Sequence, residues 1–460
     1  MPSATEVHKL IDDRPEDGVF RVHRDIYKDP AIFEMEMAQI FGRTWLFVGL
    51  ESQVPNPNDY FTTTLGRTPV VVSRSAQGEL HCFVNSCRHK GATVFNMPTG
   101  SKPAHVCPYH AWTYDSAGRC TSVNGEATGR YTAAFSSEGH DMQRVARFAN
   151  YRGLLFASLS DEVPELEEHL GEARTAIDLI VDQSGHGIEL IKGQSSFTYD
   201  GNWKLQLENG TDAYHFLPTH VSYINVLRQR GASGEQRGTG SVYENLSGHR
   251  ESLRGSYGFA NGHALLWGGN PSEEQRPLYE SKADLLSRVG EVRARYMLSV
   301  RNLTLFPNVQ FAENASLQLR VIRPISVDKT EVTAWCVAPV GESAAARVKR
   351  LRQYEDFFNL TGCATPDDIA AYEACQKGMG ADLPSWNQGH ARGIAGMTQG
   401  SNAQAQELGV CAQTSSTGDF QLGDETVYHT QYRAWLKLMT AAAQPGERNE
   451  PAVAQGSAAR

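Results

Sequence analysis

The pattern of apolar and polar residues changes character twice along the chain. Between residues 45 and 160 it consists of short apolar runs (TWLFVGL, PVVVSR, LHCFVNS and GLLFASL) separated by Gly, Pro, Asn and Asp. Runs of this length between turn residues predict strands. A small all-β domain is therefore expected over residues 45–160.

Residues 1–44 are expected to form a helical segment that packs on the larger, C-terminal domain. Within it the sequence DPAIFEMEMAQIF predicts one helix, because Asp29 suits the N-cap and Pro30 suits the first helical position. Phe33 and Met37 then lie four residues apart on one face. This apolar face needs a neighbouring element to cover it.

From residue 161 to residue 440, helical and strand patterns occur in separate groups. The sequence predicts helices at VPELEEHLGEARTAIDLIV, AAARVKRLRQYEDFFNL, PDDIAAYEACQ and YHTQYRAWLKLMTAA. It predicts strands at SSFTYDGNWKL, NLTLFPNVQFAENASLQLRVIRPI and EVTAWCVAPV. This grouping favours an α+β fold, with an antiparallel sheet flanked by helices. Residues 441–460 are small and polar without periodicity, which predicts a disordered tail.

Composition narrows the class of protein. The chain has 460 residues, enough for two domains. Its net charge of -9 argues against non-specific binding to nucleic acid or to an anionic membrane. No run approaches the roughly 20 apolar residues of a membrane span. The acidic N-terminal sequence has no apolar core like that of a signal peptide, so we expect a cytoplasmic protein whose eight scattered cysteines are reduced.

Two short motifs combine cysteine with histidine, namely Cys87-x-His89 and Cys107-x-x-His110. Two Cys and two His can bind one zinc ion or a Rieske-type [2Fe–2S] cluster, in which the cysteines hold one iron and the histidines the other. Zinc fingers usually pair Cys with Cys and His with His, whereas each motif here offers one of each. This order favours the cluster, and the alternatives are a structural zinc site or two unrelated buried cysteines.

A second group of candidate ligands lies in GNWKLQLENGTDAYHFLPTH. On an uninterrupted helix His215 and His220 would point about 140° apart, but Pro218 is expected to end or bend the helix so that both rings reach one point. Asp212 is expected on nearly the same helical face as His215, as a hydrogen-bond partner of its ring. A structural histidine pair is the alternative, since a metal site would need a third ligand.

The best third ligand is a carboxylate in CATPDDIAAYEACQKG. There Thr365 and Pro366 are expected to open a helix, with Asp367 and Asp368 in its first turn. Two histidines and one carboxylate form the facial triad that binds non-haem Fe(II). Thr365 and Asp368 also have the spacing of a capping pattern, so helix capping is the alternative.

Together the motifs resemble the large (α) subunits of Rieske non-haem iron aromatic-ring-hydroxylating dioxygenases. Similarity is greatest to the benzoate and anthranilate group, which includes toluate and halobenzoate dioxygenases, through DGVFRVHRDIYKDPAIFEMEM, YDGNWKLQLENGTDAYH and ATPDDIAAYEACQKG. The resemblance implies that residues 45–160 form a Rieske domain and residues 161–440 a catalytic domain with a mononuclear iron.

The resemblance also assigns site residues. The positions that match the family's cluster ligands are Cys87, His89, Cys107 and His110, and those that match the ligands of the mononuclear iron are His215, His220 and Asp368. Asp212 matches a bridging aspartate, which contacts an iron-bound histidine of its own subunit and a cluster histidine, here His110, of the neighbouring subunit. This implies a trimer in which electrons pass from each cluster through His110 and Asp212 to the next subunit's iron.

The implied activity is cis-dihydroxylation of an aromatic ring with both atoms of O₂. The expected substrate is an aromatic carboxylate such as benzoate, anthranilate or a 2-substituted benzoate. NADH would supply electrons through a separate reductase, with or without a ferredoxin, because this chain has neither a G-x-G-x-x-G motif nor a plant-type ferredoxin cysteine run. A small β subunit in an α3β3 assembly is also implied. The alternatives are a monooxygenating relative of the salicylate hydroxylase type, a demethylase, and a Rieske electron carrier.

Overall fold

Helices and antiparallel strands build an α+β fold, as the sequence predicted. The structure is a computed structural model, and it describes residues 2–232, 253–269, 273–314, 316–418 and 423–441. The predicted tail 441–460 lies outside the described residues, apart from its first residue. None of the helices in the described ranges combines the length and the apolar character that a membrane crossing requires.

The N-terminal segment contains short helices and a hairpin that the hydrophobic pattern did not predict. Its elements are the helix Ala4–His8, the strands Ile11–Arg14 and Val19–His23, and the helices Asp25–Lys28 and Pro30–Gln39. The last helix begins where the sequence predicted, because the Asp29 carboxylate accepts the backbone N–H of Ala31 at 2.7 Å. The hairpin pairs with the short strand Trp386–Asn387, and the Tyr27 hydroxyl is hydrogen-bonded to that of Tyr432. The segment therefore packs against elements from the C-terminal part of the chain.

The following region consists of short antiparallel strands in three small sheets. A four-stranded sheet contains Asp59–Leu65, Thr68–Arg74, Leu80–Val84 and Thr99–Ser101. One three-stranded sheet contains Ala104–Val106, Thr113–Asp115 and Cys120–Ser122, and the other contains Leu46–Leu50, Arg147–Tyr151 and Leu154–Ser158. Val70, Val71 and Val72 are fully buried, because this strand lies between two neighbours and is covered on both faces.

A ten-stranded antiparallel sheet forms the centre of the C-terminal region. Its strands are Ile188–Leu190, Ser195–Tyr199, Arg254–Gly258, Ala264–Gly268, Val300–Leu305, Val309–Glu313, Leu317–Ser326, Lys329–Pro339, Thr398–Gln399 and Thr414–Gly418. The helices around it are Leu166–Leu170, Ala173–Val181, Trp203–Asn209, Phe216–Thr219, Val221–Ala232, Lys282–Leu298, Ala344–Gln353, Ala364–Met379, Ala403–Leu408 and Val427–Thr440, with a π-helical turn at Tyr354–Phe358.

One predicted strand is wrong in its second half. The strand Ser195–Tyr199 ends before the residues NWKL, which form the first turn of the helix Trp203–Asn209. Asn202 explains the change, because its side chain accepts the backbone N–H of Lys204 at 3.1 Å and so caps the helix. This helix leads directly into the segment that carries His215.

A buried ion pair joins the N-terminal segment to the C-terminal region. Glu36 is fully buried, and its carboxylate accepts hydrogen bonds from Lys204 Nζ at 2.6 Å and from the indole N–H groups of Trp203 and Trp435 at 2.8 and 2.7 Å. Burial lowers the pKa of Lys204, and the carboxylate opposes this change. The ammonium therefore depends on Glu36 for its charged form.

We predict that Glu36→Ala destabilises the protein by about 3–5 kcal/mol, because it leaves the Lys204 charge buried without its partner. The measurement is urea denaturation followed by tryptophan fluorescence. Glu34→Ala is the matched control, since Glu34 is an exposed residue of the same helix, paired with Arg67, and we expect it to cost at most about 1 kcal/mol. Equal losses in the two variants would contradict the prediction.

Candidate metal centres

Two loops of the all-β region present the four predicted cluster ligands. Cys87 follows the strand Leu80–Val84, and Cys107 follows the strand Ala104–Val106. Each cysteine carbonyl accepts the N–H four residues later, at 2.9 Å from Gly91 and 3.0 Å from Ala111. Each cysteine N–H also donates to the carbonyl five residues later, at 2.8 Å in both loops. The two loops are thus built alike, as expected for two halves of one site.

The cysteine and histidine side chains of these two loops differ in how deeply they are buried. Cys87 and Cys107 are each 3% exposed and form no disulfide, whereas His89 and His110 are half-buried, with ring centroids 4.4 Å apart. The His89 ring also stacks on Trp112 at 5.1 Å. Inner thiols and outer imidazoles suit a [2Fe–2S] cluster in which cysteines hold one iron and histidines the other. The donor set therefore fits the predicted cluster.

One aromatic residue near the cysteines was not predicted. The Tyr114 hydroxyl lies 3.3 Å from Cys87 Sγ, and burial raises the pKa of this phenol well above its usual value. The phenol therefore stays protonated and can donate to a thiolate sulfur. Neither its spacing nor its residue type distinguishes Tyr114 in the sequence, since it follows the ligand motif as an ordinary strand residue.

His215 and His220 approach each other, but not for the reason predicted. His215 is the N-cap and His220 the C-cap of the short helix Phe216–Thr219, so neither lies within a continuous helix. Pro218 lies in the first turn of that helix, where proline is tolerated, and it does not end or bend the helix between the two histidines. The ring centroids are 5.2 Å apart. Both rings can therefore serve one site, as predicted.

Asp368 joins the two histidines. Its Oδ1 lies 3.5 Å from His215 Nε2 and 3.4 Å from His220 Nε2. The capping alternative is wrong, because the helix Ala364–Met379 begins without a side-chain cap. The Thr365 hydroxyl instead donates to the Phe358 carbonyl at 2.7 Å. The ligand atoms of the three residues all lie within 4.8 Å of one another. Two imidazoles and one carboxylate in this arrangement fit non-haem Fe(II).

The amide of Asn209 was not predicted at this site. Its Nδ2 donates to Asp368 Oδ1 at 3.1 Å and lies 3.2 Å from His215 Nε2. Asn209 is the last residue of the helix that Asn202 caps. Because the sequence predicted a strand at NWKL, it did not predict the helix that carries Asn209, and this contact could not be predicted either.

Each histidine has a second carboxylate behind its ring. Asp212 Oδ2 lies 3.1 Å from His215 Nδ1, and Asp367 Oδ2 lies 3.5 Å from His220 Nδ1, both in ion-pair contact. Asp212 follows the end of a helix and is not on the helical face predicted for it, because its Oδ1 accepts the backbone N–H of Tyr214 in a turn. Carboxylates in this position hold the Nδ1–H tautomer and turn Nε2 towards the site.

These carboxylates affect the two imidazoles differently. Burial acts against protonation of His215, but the Asp212 carboxylate outweighs it and the pKa of the imidazole is raised. For His220 burial prevails over Asp368, and the pKa is lowered. His220 is the more deeply buried ring, with 2% of its side chain exposed against 21% for His215.

Apolar rings cover the His220 side of the site. The ring centroids of Phe216 and Phe357 lie 5.6 and 5.8 Å from that of His220. Phe357 is also 4.9 Å from Tyr223 and 4.9 Å from Phe358. We call Phe216, Tyr223, Phe357 and Phe358 the aromatic cluster. It supplies the apolar surroundings that a flat hydrophobic ligand needs beside the predicted metal.

The fold and the two donor sets define the class: a Rieske-type iron–sulfur domain and a mononuclear iron domain in one chain are the parts of a Rieske oxygenase. Comparison with known families agrees. The family described as "Rieske [2Fe-2S] domain" matches residues 44–136, and the family described as "Ring hydroxylating alpha subunit (catalytic domain)" matches residues 184–440. This chain belongs to the α subunits of the ring-hydroxylating Rieske oxygenases.

Individual relatives cover nearly the whole chain. Toluate 1,2-dioxygenase subunit alpha of Pseudomonas putida is 40% identical over 443 residues, which are 95% of this chain and 94% of the relative. The 2-halobenzoate 1,2-dioxygenase large subunit of Burkholderia cepacia is 38% identical over 442 residues, with coverage of 95% and 94%.

Among solved structures, naphthalene 1,2-dioxygenase from Rhodococcus sp. has the same fold, with a TM-score of 0.80 at 22% identity and coverage of 96% of this chain and 98% of that one. The two family matches and the two relatives confirm the family prediction from the sequence. The match to the Rieske family favours the cluster over zinc, and the match to the catalytic-domain family favours an oxygenase over an electron carrier.

Proposed function

We propose that this chain is the large subunit of a terminal oxygenase that adds both atoms of O₂ to adjacent carbons of an aromatic carboxylate. Benzoate, anthranilate and 2-substituted benzoates are the expected substrates. The observation that carries the proposal is the identity of about 40% over 95% of the chain to a toluate 1,2-dioxygenase subunit. The 2-halobenzoate relative supports the same substrate class, because both names denote ring acids.

The metal ligands are part of the proposal. The residues that would hold the [2Fe–2S] cluster are Cys87, His89, Cys107 and His110, and those that would hold Fe(II) are His215, His220 and Asp368. When bound, these groups supply electrons one at a time and activate O₂. Because only three protein residues would bind Fe(II), the ion would keep positions open for other molecules.

The surrounding residues prepare the site for this chemistry. Asp212 and Asp367 hold the imidazoles so that both Nε2 atoms face Asp368. The aromatic cluster excludes water from the His220 side and offers an apolar surface to the substrate ring. Exclusion of water from the site limits side reactions.

Assembly and electron supply complete the proposal. The Asp212 side chain is 16% exposed, which supports contact with His110 of a neighbouring subunit in a trimer. Small β subunits would complete an α3β3 oxygenase, and an NADH-dependent reductase would supply the electrons, with or without a ferredoxin. The cytoplasmic location stays a prediction.

Substrate screening tests the proposal. With a compatible reductase, NADH and ¹⁸O₂, we expect the purified oxygenase to convert benzoate, anthranilate or 2-chlorobenzoate at least about tenfold faster than toluene or naphthalene. The product should contain two ¹⁸O atoms, determined by mass spectrometry. Faster oxidation of the hydrocarbons would contradict the substrate class. Incorporation of a single ¹⁸O atom would favour the monooxygenating alternative.

A further inference from the structure

Four arginines are buried among the described residues, and three of them are matched with a glutamate. Arg276 and Arg301 both pair with the Glu313 carboxylate. Arg350 Nε donates to Glu342 at 2.9 Å. The fourth is Arg320, with 7% of its surface exposed.

Arg320 has only a neutral partner. Its Nε donates to the side-chain oxygen of Gln318, while its two terminal nitrogens have no carboxylate or carbonyl partner within the described part of the chain. A buried guanidinium without a counter-charge is costly, so proteins rarely keep one without a ligand or a carboxylate. The two free nitrogens have the planar fork geometry that binds a carboxylate through two parallel hydrogen bonds.

The side chain of Arg320 lies on the face of the sheet that contacts the helix Trp203–Asn209. On the strand Leu317–Ser326, the alternation of side chains places Arg320 on the face opposite to Leu319 and Val321. Its neighbour on the next strand is Gln310, whose amide donates to the Leu207 carbonyl at 2.9 Å. Leu207 is two residues before Asn209, the amide that contacts Asp368.

Contacts with the aromatic cluster connect Arg320 to the same site. Its guanidinium carbon lies 5.6 Å from the centroid of the Phe358 ring. The Phe358 carbonyl accepts both the Gln318 amide at 3.2 Å and the Thr365 hydroxyl at 2.7 Å. Thr365 is three residues before Asp368 in the same helix. The guanidinium therefore borders the apolar surroundings in which the ring of the substrate is expected.

We propose that the Arg320 guanidinium binds the carboxylate of the aromatic substrate and makes the site selective for ring acids over neutral rings. This inference rests on the proposed function. Asp212, Asp367 and Asp368 carry three negative charges, one more than Fe(II) would neutralise, so an anionic substrate needs a further cation nearby. Arg320 supplies this cation and in turn gains the counter-charge that it lacks in the protein.

The test compares two ligands of the same shape. In the full holoenzyme Arg320→Met is expected to weaken the binding of benzoate about 100-fold, because the charge-assisted contact is lost. The binding of nitrobenzene, a neutral molecule of nearly the same shape, is expected to be unchanged or stronger. Arg320→Lys should lie between Arg320→Met and wild type for benzoate, because lysine keeps the charge without the fork. Dissociation constants are measured by equilibrium dialysis, and the visible spectrum and iron content report correct folding.

Arg323→Met is the matched control. Arg323 lies on the same strand but on the opposite face, and its side chain pairs with Glu331 at 2.7 Å. We expect this variant to bind benzoate as the wild type does. Parallel loss of benzoate and nitrobenzene binding in Arg320→Met, or no loss of either, would overturn the assignment. If wild-type protein neither binds nor oxidises any aromatic carboxylate, the proposed function fails first, and the Arg320 assignment fails with it.

Discussion

Asp368→Ala is expected to empty the mononuclear site and leave the cluster in place. Among the described residues, Asp368 is the one carboxylate that contacts Nε2 of both histidines, and two neutral imidazoles alone hold Fe(II) weakly. The iron content should fall from about three to about two per chain, since a [2Fe–2S] cluster contains two. Product formation should fall by about 1,000-fold or more, because the reaction depends on the lost metal.

Two measurements check this prediction. Metal analysis gives the iron content, and the visible spectrum of the cluster serves as an internal control for the fold. Asp367→Ala removes the neighbouring carboxylate of the same helix, which lies behind His220 and also accepts the Ser222 hydroxyl at 2.8 Å. It should keep the third iron, with affinity lower by about 10–100-fold. If Asp368→Ala retains the third iron while Asp367→Ala loses it, Asp367 is the ligand instead of Asp368.

The cluster motif could be predicted from the sequence because it is local. Cys87 with His89, and Cys107 with His110, are each held by one short loop, so spacing along the chain reflects the geometry of the site. The same holds for the Asp29 cap, whose partner is two residues away. Such features need no knowledge of the tertiary structure.

The iron site could be predicted only in part, because its contacts join distant segments. Spacing alone did not decide whether Asp368 binds a metal or caps a helix. The deciding contacts are with His215 and His220, in a distant part of the chain. Arg320 carries no sequence signal either. In the described part of the chain no glutamate faces Arg320, whereas Glu313 faces both Arg276 and Arg301, and that difference depends on the tertiary structure.

Asp212→Asn is expected to reduce turnover by about 100-fold or more while both metal sites stay filled. The carboxylate lies 3.1 Å from His215 Nδ1 and raises the pKa of this imidazole, and an amide keeps the size of the side chain but not its charge. In the proposed trimer the same carboxylate also contacts His110 of the neighbouring subunit. The reductase should still bleach the visible absorption of the cluster, but product formation should be slow.

Asp367→Asn separates this bridging function from general support of a histidine. It makes the same change of charge beside Nδ1 of the other ring, at 3.5 Å instead of 3.1 Å, on a side chain that is 28% exposed instead of 16%. If both carboxylates only orient their imidazoles, the two variants should lose similar activity. If Asp212 also connects two subunits, its variant should lose at least about tenfold more. Near-normal turnover of Asp212→Asn with full metal content would refute the proposed path between subunits.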